Sequence, residues 1–330
     1  MGKRRNLQLG TMILVSALLL CLLGGDFWNM VIGTFGRPEL ASALLYLETG
    51  RLIRPAPTVQ PTEPLLEPTA PSVQSAEEPL AFSPEDGALV EVYNDCGYET
   101  DIEGYLTKPL VWNLSQEEPT VLIFHTHATE SYENTENYPQ SSPYRTTDVD
   151  YNVVSVGEKI AEILEAGGVK VIHDKTLHDQ PSYNDAYKNT RQTVEGYLQQ
   201  YPSIRLVLDI HRDSIENGSG VQVPKLAVVS GEETAQLMMV VGTDAGGQNH
   251  PQWSENMALA VKLQAQLEKK YPGICRPICF RSQRYNQDLS PGAMLVEVGS
   301  AGNTRQQALR SAQYLAECIL DLSGGSLYLA

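Results

Sequence analysis

The sequence has few basic residues and few cysteines. Its 330 residues include 24 lysines and arginines against 40 aspartates and glutamates, a formal charge of −16. Nucleic acid is excluded as a partner, because binding to phosphate requires a basic surface. The five cysteines are an odd number scattered along the chain, which argues against a disulfide framework. Cys275 and Cys279 are close enough in sequence for a local disulfide, although two free thiols are the favoured interpretation.

The chain also lacks the signatures of several common protein classes. It contains no internal repeat, no glycine-rich loop that would cradle phosphate, and no Gly-x-Ser-x-Gly motif. These absences exclude repeat architectures, the common nucleotide-binding loops and the nucleophile turn of serine hydrolases.

The N-terminus resembles a membrane anchor. Lys3, Arg4 and Arg5 precede an apolar run over residues 7–25, which is just long enough to span a bilayer. Basic residues on this side predict a single-pass protein with a cytoplasmic N-terminus and an exported remainder. A cleaved signal peptide is the alternative, but no small-x-small cleavage site follows the run. Residues 1–26 are therefore predicted to be a cytoplasmic tip and a transmembrane anchor.

Composition divides the rest of the chain into three parts. Residues 27–54 form a juxtamembrane segment whose leucine spacing predicts an amphipathic helix. Residues 55–84 contain eight prolines among polar and small residues. Such a segment cannot bury a core and predicts an extended linker. The remaining residues, 85–330, are predicted to form one exported domain.

Strand and helix patterns alternate through this domain. Short alternating pieces over residues 88–113 predict a small β element. Longer apolar runs predict strands at 121–124, 169–173, 206–213, 226–229, 237–242 and 294–300, and amphipathic patterns predict helices at 151–166, 184–200, 253–271 and 304–322. The alternation predicts an α/β fold with a twisted, mainly parallel sheet and helices on both faces.

Residues that commonly bind metals follow the strand at 121–124. His127 and Glu130 are three residues apart and can turn an imidazole and a carboxylate toward one point. These would be two of the three protein ligands of a catalytic zinc site. His125 competes with His127 for the coordination position. If His127 is the ligand, His125 would not contact the metal but would help to orient the residues that do.

Two further strands carry residues of the same kind. His211 lies in the strand at 206–213, and Glu297 interrupts the apolar strand at 294–300. Ligands bind beyond the carboxyl ends of parallel strands, so we expect these side chains to converge. Two histidines, one carboxylate and an open position are typical of catalytic zinc. Glu297 is costly to bury unpaired and is predicted to be the general base. The alternative for His211 is a core histidine.

Two groups of polar residues flank the predicted site. The first directly follows the histidine of the strand at 206–213 and forms either a bracing ion pair or substrate contacts: Arg212 and Asp213. The second precedes the last strand: Arg276, Arg284 and Asn286. It could hold a substrate carboxylate, since arginine binds such groups with two parallel hydrogen bonds. Ordinary surface charge is the alternative.

Four motifs, in this order, resemble the stage II sporulation protein P family. They are His125-Thr-His-Ala-Thr-Glu-Ser-Tyr132, Asp209-Ile-His-Arg-Asp-Ser214, Tyr285-Asn-Gln-Asp288 and Leu295-Val-Glu-Val-Gly-Ser300. The anchor, the linker and the single exported domain agree with the layout of that family. The resemblance covers about residues 85–325 and implies a phosphorylase/hydrolase-like α/β sheet, similar to that of N-acetylmuramoyl-L-alanine amidases.

The resemblance also implies a reaction and a setting. The family cleaves the amide between muramic acid and L-alanine in peptidoglycan, and stem-peptide cross-links, during forespore engulfment. It acts beside the sporulation proteins D and M, in the space between the mother-cell and forespore membranes. By the same resemblance His127, Glu130 and His211 would bind Zn²⁺, and Glu297 would be the catalytic acid/base.

Two other functions are compatible with these residues. A metallocarboxypeptidase that trims stem peptides would use the same metal site and an arginine-lined pocket for the terminal carboxylate. A non-catalytic wall-binding scaffold would use Glu297 merely to brace the fold. The presence of every residue type that the zinc site requires favours an enzyme over a scaffold.

Overall fold

A computed structural model of the chain describes residues 81–110 and 112–324. The predicted anchor, the juxtamembrane segment and nearly all of the linker lie outside these residues, so their boundaries stay predictions. Within the described ranges, no helix is both long and apolar enough to cross a bilayer.

A seven-stranded sheet forms the centre of the described domain. The strands within the described residues are β1 (Val92–Asn94), β2 (Val121–Phe124), β3 (Val171–His173), β4 (Leu206–Asp213), β5 (Leu226–Val229), β6 (Glu232–Ala235), β7 (Leu237–Gly242), β8 (Ile278–Arg281) and β9 (Ala293–Ser300). The order in the sheet is β1-β8-β7-β9-β4-β2-β3, while β5 and β6 form a separate hairpin. Neighbouring strands are parallel except β7 and β9, which confirms the predicted mainly parallel sheet.

Helices cover both faces of this sheet, as predicted. They are α1 (Ile102–Thr107), α2 (Val153–Ala166), α3 (Ala186–Gln200), α4 (Trp253–Lys270) and α5 (Arg305–Gly324). One sheet face, which includes Ile123 and Leu208, packs against α2, α4 and α5 in the main hydrophobic core. The other face, which includes Leu122 and Phe124, packs against Val194 of α3.

The β element predicted over residues 88–113 is mostly wrong. Among the described residues of this stretch, only the three of β1 form a strand, and Tyr105 and Leu106 lie in α1. The side chain of Asp101 caps this helix by accepting a hydrogen bond from the main-chain N–H of Gly104 at 2.9 Å. Such a cap satisfies one of the free donors of a helix start and favours helix over strand.

Strands β6 and β8 are not predicted by the sequence. The sequence of β6 is polar because the hairpin is partly exposed, and its turn uses Ser230 and Gly231, both with positive φ. Strand β8 is short and contains Cys279, one of the two cysteines that are close enough in sequence for a local disulfide. Cys275 and Cys279 are both free thiols, as the sequence favours.

Gly292 allows the chain entering β9 to approach the chain entering β4. A Cβ at this position would lie 1.9 Å from the carbonyl oxygen of Arg205. Gly292→Ala must therefore displace one of two central strands, and we expect it to lower the free energy of unfolding by ~1–3 kcal/mol.

Gly196→Ala is the matched control for this substitution. Gly196 is exposed in α3, and nothing lies within 4 Å of an added Cβ there. Alanine should stabilise that helix by up to ~1 kcal/mol. Urea unfolding measures both effects, and equal stability of the two variants would contradict the close approach at Gly292.

Candidate metal centre

The site lies at the carboxyl ends of three adjacent parallel strands, β2, β4 and β9. His211 of β4 is in register with Glu297 of β9. Side chains paired in this way in parallel strands project from the same sheet face. After β2 the backbone turns at residues 126–129, and Glu130 then forms a bridge with Arg145. This turn carries His127 and Glu130 toward His211.

His127, Glu130 and His211 meet at one point. Each offers a ligand atom that lies within 4.8 Å of the other two. Nδ1 of His127 is 3.6 Å from Oε1 of Glu130, and Nδ1 of His211 is 3.3 Å from Oε2 of the same carboxylate. Two imidazoles and one carboxylate are the donor set of a catalytic zinc ion. The arrangement therefore fits the metal that the sequence predicts.

Charge around Glu130 keeps this carboxylate ionised. Burial would raise its pKa, but Arg212 and His211 outweigh that effect and hold the pKa at about 2. Nη1 of Arg212 is 3.4 Å from Oε1, and Nη2 of Arg145 is 3.6 Å from the same atom. Metal ligands must be deprotonated, and Glu130 meets that condition at neutral pH.

The two histidines differ in their charge. Burial, assisted by His211, lowers the pKa of His127 to about 4, so its imidazole is neutral at neutral pH. Burial would also lower the pKa of His211, but Asp209 and Glu130 outweigh it and raise the pKa well above its usual value. A cation bound at this point would displace the extra proton from His211.

Glu297 is held in its protonated form by its surroundings. Its Oε2 is buried and has no hydrogen-bonding partner. Burial is the main cause that raises the pKa of Glu297, to about 8, and the attraction of His211 opposes it only in part. A carboxyl group that exchanges a proton near neutral pH is suited to general acid–base catalysis.

His125 lies outside the metal-binding group, on the face of the sheet that is covered by α2. Its Nδ1 is 2.9 Å from the carbonyl oxygen of Ile210, and its Nε2 is 2.9 Å from Nε2 of His173. The Nδ1 of His173 in turn contacts Glu158 at 2.8 Å. This chain of contacts favours His127 over His125 as the candidate ligand.

The first group of predicted substrate-binding residues is already engaged. Arg212 is buried, and it donates from Nε to the carbonyl of Ser131 and from Nη2 to that of Tyr144, both at 3.0 Å. Asp213 accepts a hydrogen bond from Arg276 at 2.7 Å. Arg212 therefore braces the loop after β2, although not through an ion pair with Asp213.

The second group is divided between two places. Arg276 pairs with Asp213 beside β4, whereas Arg284 pairs with Asp288 at 3.1 Å. Asn286 donates to the carbonyl of Tyr187 at 2.8 Å and so ties its loop to α3. The structure does not gather these three residues into one pocket.

Several residues at the site have no counterpart in the sequence-based prediction. The ring of Tyr183 stacks on His127 with 4.3 Å between centroids, and the guanidinium of Arg145 lies 4.8 Å from the Tyr183 ring. Asp179 is buried, pairs with Arg145 at 3.2 Å and accepts a hydrogen bond from the hydroxyl of Thr129. Arg145 and Asp179 lie in loops and Tyr183 begins a short 3-10 helix, none with a periodic pattern, so the sequence holds no signal for them.

The sequence matches one known family over most of its length. The family model of stage II sporulation protein P (SpoIIP) matches residues 58–320. The chain belongs to the SpoIIP family. It is 28% identical over 217 residues to stage II sporulation protein P of Bacillus subtilis (strain 168), an alignment that covers 61% of this chain and 50% of the relative. This family member thus spans about half the length of that relative.

Solved structures with some likeness to this SpoIIP-family chain include two amidases. N-acetylmuramoyl-L-alanine amidase AmiC2 of Nostoc punctiforme has a TM-score of 0.36 and 16% identity, covering 62% of this chain and 94% of its own. The N-acetylmuramyl-L-alanine amidase Ami1 from Mycobacterium smegmatis has a TM-score of 0.37 and 14% identity, covering 66% and 99%. At these TM-scores the function has to be argued from the residues themselves.

Proposed function

We propose that this SpoIIP-family chain is a zinc-dependent peptidoglycan hydrolase that acts in sporulation. Its proposed substrate is the amide between N-acetylmuramic acid and L-alanine, together with stem-peptide cross-links. One observation carries the proposal: the ligand atoms of His127, Glu130 and His211 converge beside Glu297, whose buried carboxyl oxygen has no partner. The anchor, the role in engulfment and the partners D and M stay predictions from the sequence.

The chemistry follows from the charge states of the site. A zinc ion held by His127, Glu130 and His211 would polarise the scissile carbonyl and lower the pKa of water. In its ionised form, which a cation bound at the neighbouring ligands would favour, Glu297 would take a proton from the attacking water and then donate it to the leaving nitrogen. As the carbon–nitrogen bond breaks, the lactyl group gains a carboxylate and L-alanine gains a free amine.

The arginine contacts favour the amidase over a metallocarboxypeptidase. A carboxypeptidase needs an arginine that is available to bind the terminal carboxylate of its substrate. Arg212 is buried against Glu130 and two main-chain carbonyls, and Arg276 pairs with Asp213. Neither arginine is free for that task, and Arg145 and Arg284 are likewise paired, with Asp179 and Asp288.

Product analysis tests the proposed bond. We expect the full-length chain in detergent, incubated with zinc and intact peptidoglycan, to release stem peptides with new L-alanine amino termini. The muramic acid left behind should carry a free lactyl carboxylate. A chelator should abolish both products, and added zinc should restore them.

Other products would overturn parts of this proposal. Cleavage solely between peptide residues would reassign the same site to an endopeptidase or a carboxypeptidase. Cleavage that resists the chelator would remove the metal from the reaction. No cleavage at all would support the wall-binding scaffold.

A further inference from the structure

Asp209 is a buried carboxylate in the middle of β4, where the surrounding residues are apolar. Its neighbours in the strand, Leu208 and Ile210, are fully buried, and Asp209 itself is 3% exposed. Burying a carboxylate is costly unless hydrogen bonds or charges compensate it. Asp209 therefore needs hydrogen bonds or positive charge nearby to offset the cost of its burial.

Those contacts reach both halves of the candidate metal centre. Oδ1 accepts a hydrogen bond from the main-chain N–H of Thr126 at 2.8 Å, and Oδ2 accepts one from the Thr126 hydroxyl at 2.6 Å. Thr126 directly precedes His127. Oδ1 also lies 2.9 Å from Nε2 of His211, although off the axis of a well-aligned hydrogen bond. One carboxylate thus touches the chain that carries one proposed ligand and the ring of another.

We propose that Asp209 is a positioning residue that orients two zinc ligands at once. By engaging Nε2 of His211, it leaves Nδ1 of that ring directed at Glu130, 3.3 Å away. By holding Thr126 at both its amide and its hydroxyl, it fixes the start of the turn that carries His127. This inference rests on the metal centre proposed above.

The physical basis is the partner that a ligand histidine requires on its second nitrogen. A carboxylate in that place fixes the orientation of the ring and increases its basicity as a ligand, and its loss typically weakens metal affinity by ~10–100-fold. An asparagine at position 209 would fill nearly the same volume. It would lack the negative charge that faces His211.

The chain contains a second carboxylate with the same set of contacts. Asp174, also buried, accepts hydrogen bonds from the main-chain N–H of Thr176 at 3.2 Å and from its hydroxyl at 2.7 Å, and lies 2.9 Å from Nε2 of His178. None of these residues belongs to the metal-binding group. Asp174→Asn therefore causes a similar local loss without touching the proposed ligands.

The test compares Asp209→Asn with Asp174→Asn in the full-length chain. Zinc affinity is measured by competition with a chromogenic chelator, ligand geometry by the visible spectrum of the cobalt-substituted protein, and stability by urea unfolding without metal. We expect Asp209→Asn to weaken zinc binding by ~10–100-fold and to change the cobalt spectrum. Asp174→Asn should lower stability and leave zinc affinity and the spectrum as in the wild type.

Two results would overturn the inference about Asp209 and leave the proposed metal centre intact. Wild-type zinc affinity and cobalt spectrum in Asp209→Asn would show that Asp209 does not position the ligands. Equal losses of zinc affinity in both variants would show that the effect comes from general destabilisation. If the wild-type chain itself bound no zinc, the proposed metal centre would fail, and the inference would fail with it.

Discussion

Replacing Glu297 with glutamine is expected to abolish hydrolysis and to leave zinc binding intact. Glutamine keeps the size of the side chain but cannot exchange a proton, and a general acid–base group contributes ~10²–10⁴-fold to the rate. Glu297 is not one of the three residues whose ligand atoms converge. Turnover is measured from new L-alanine amino termini, and zinc content by atomic emission after dialysis.

The same substitution should change the pH dependence of stability. The pKa of Glu297 is raised in the folded protein. Its contribution to the free energy of unfolding is therefore complete below the ordinary glutamate pKa, and it is lost as the pH rises to about 8. Metal-free Glu297→Gln should lack this loss. Wild-type turnover would remove Glu297 from the reaction, and loss of zinc together with turnover would make it a ligand.

Alanine at either proposed histidine ligand should empty the metal centre. Nδ1 atoms of His127 and His211 lie on either side of the Glu130 carboxylate, and a catalytic zinc ion has only three protein ligands. His127→Ala and His211→Ala should therefore each lose stoichiometric zinc after dialysis, and with it all hydrolysis. Metal analysis and the product assay are made on the same samples.

His125→Ala is the control that separates the neighbouring histidines. His125 contacts the Ile210 carbonyl and His173 instead of the metal-binding group. Its loss should leave a buried carbonyl without its donor, which costs ~1–3 kcal/mol of stability. It should keep zinc. Zinc loss in His125→Ala, combined with retention in His127→Ala, would exchange the roles of the two residues.

Much of this site can be predicted from the sequence because its polar residues lie in or directly after apolar strands. Apolar runs mark β2, β4 and β9, and parallel strands bring their carboxyl ends to one edge of a sheet. Glu297 and Asp209 both stand out as carboxylates within apolar strands. The same reasoning that singles out Glu297 would also have singled out Asp209.

The roles of the neighbouring histidines could not be predicted, because they depend on a turn. In a continued strand, residues 125 and 127 would point to the same face. Strand β2 ends at Phe124, and the turn over residues 126–129 sends His125 to one side of the sheet and His127 to the other. Arg145 and Asp179 were not predicted either, since they reach the site from loops whose paths depend on tertiary packing.

The strand order has a consequence for the timing of synthesis. Strand β9 is the last strand of the described residues, yet it lies between β4 and β7 in the sheet. A chain that emerges with its N-terminus first therefore presents His127, Glu130 and His211 well before Glu297. The nascent domain has a gap at the centre of its sheet until β9 is inserted. The proposed hydrolytic site is therefore complete only after β9 has joined the sheet.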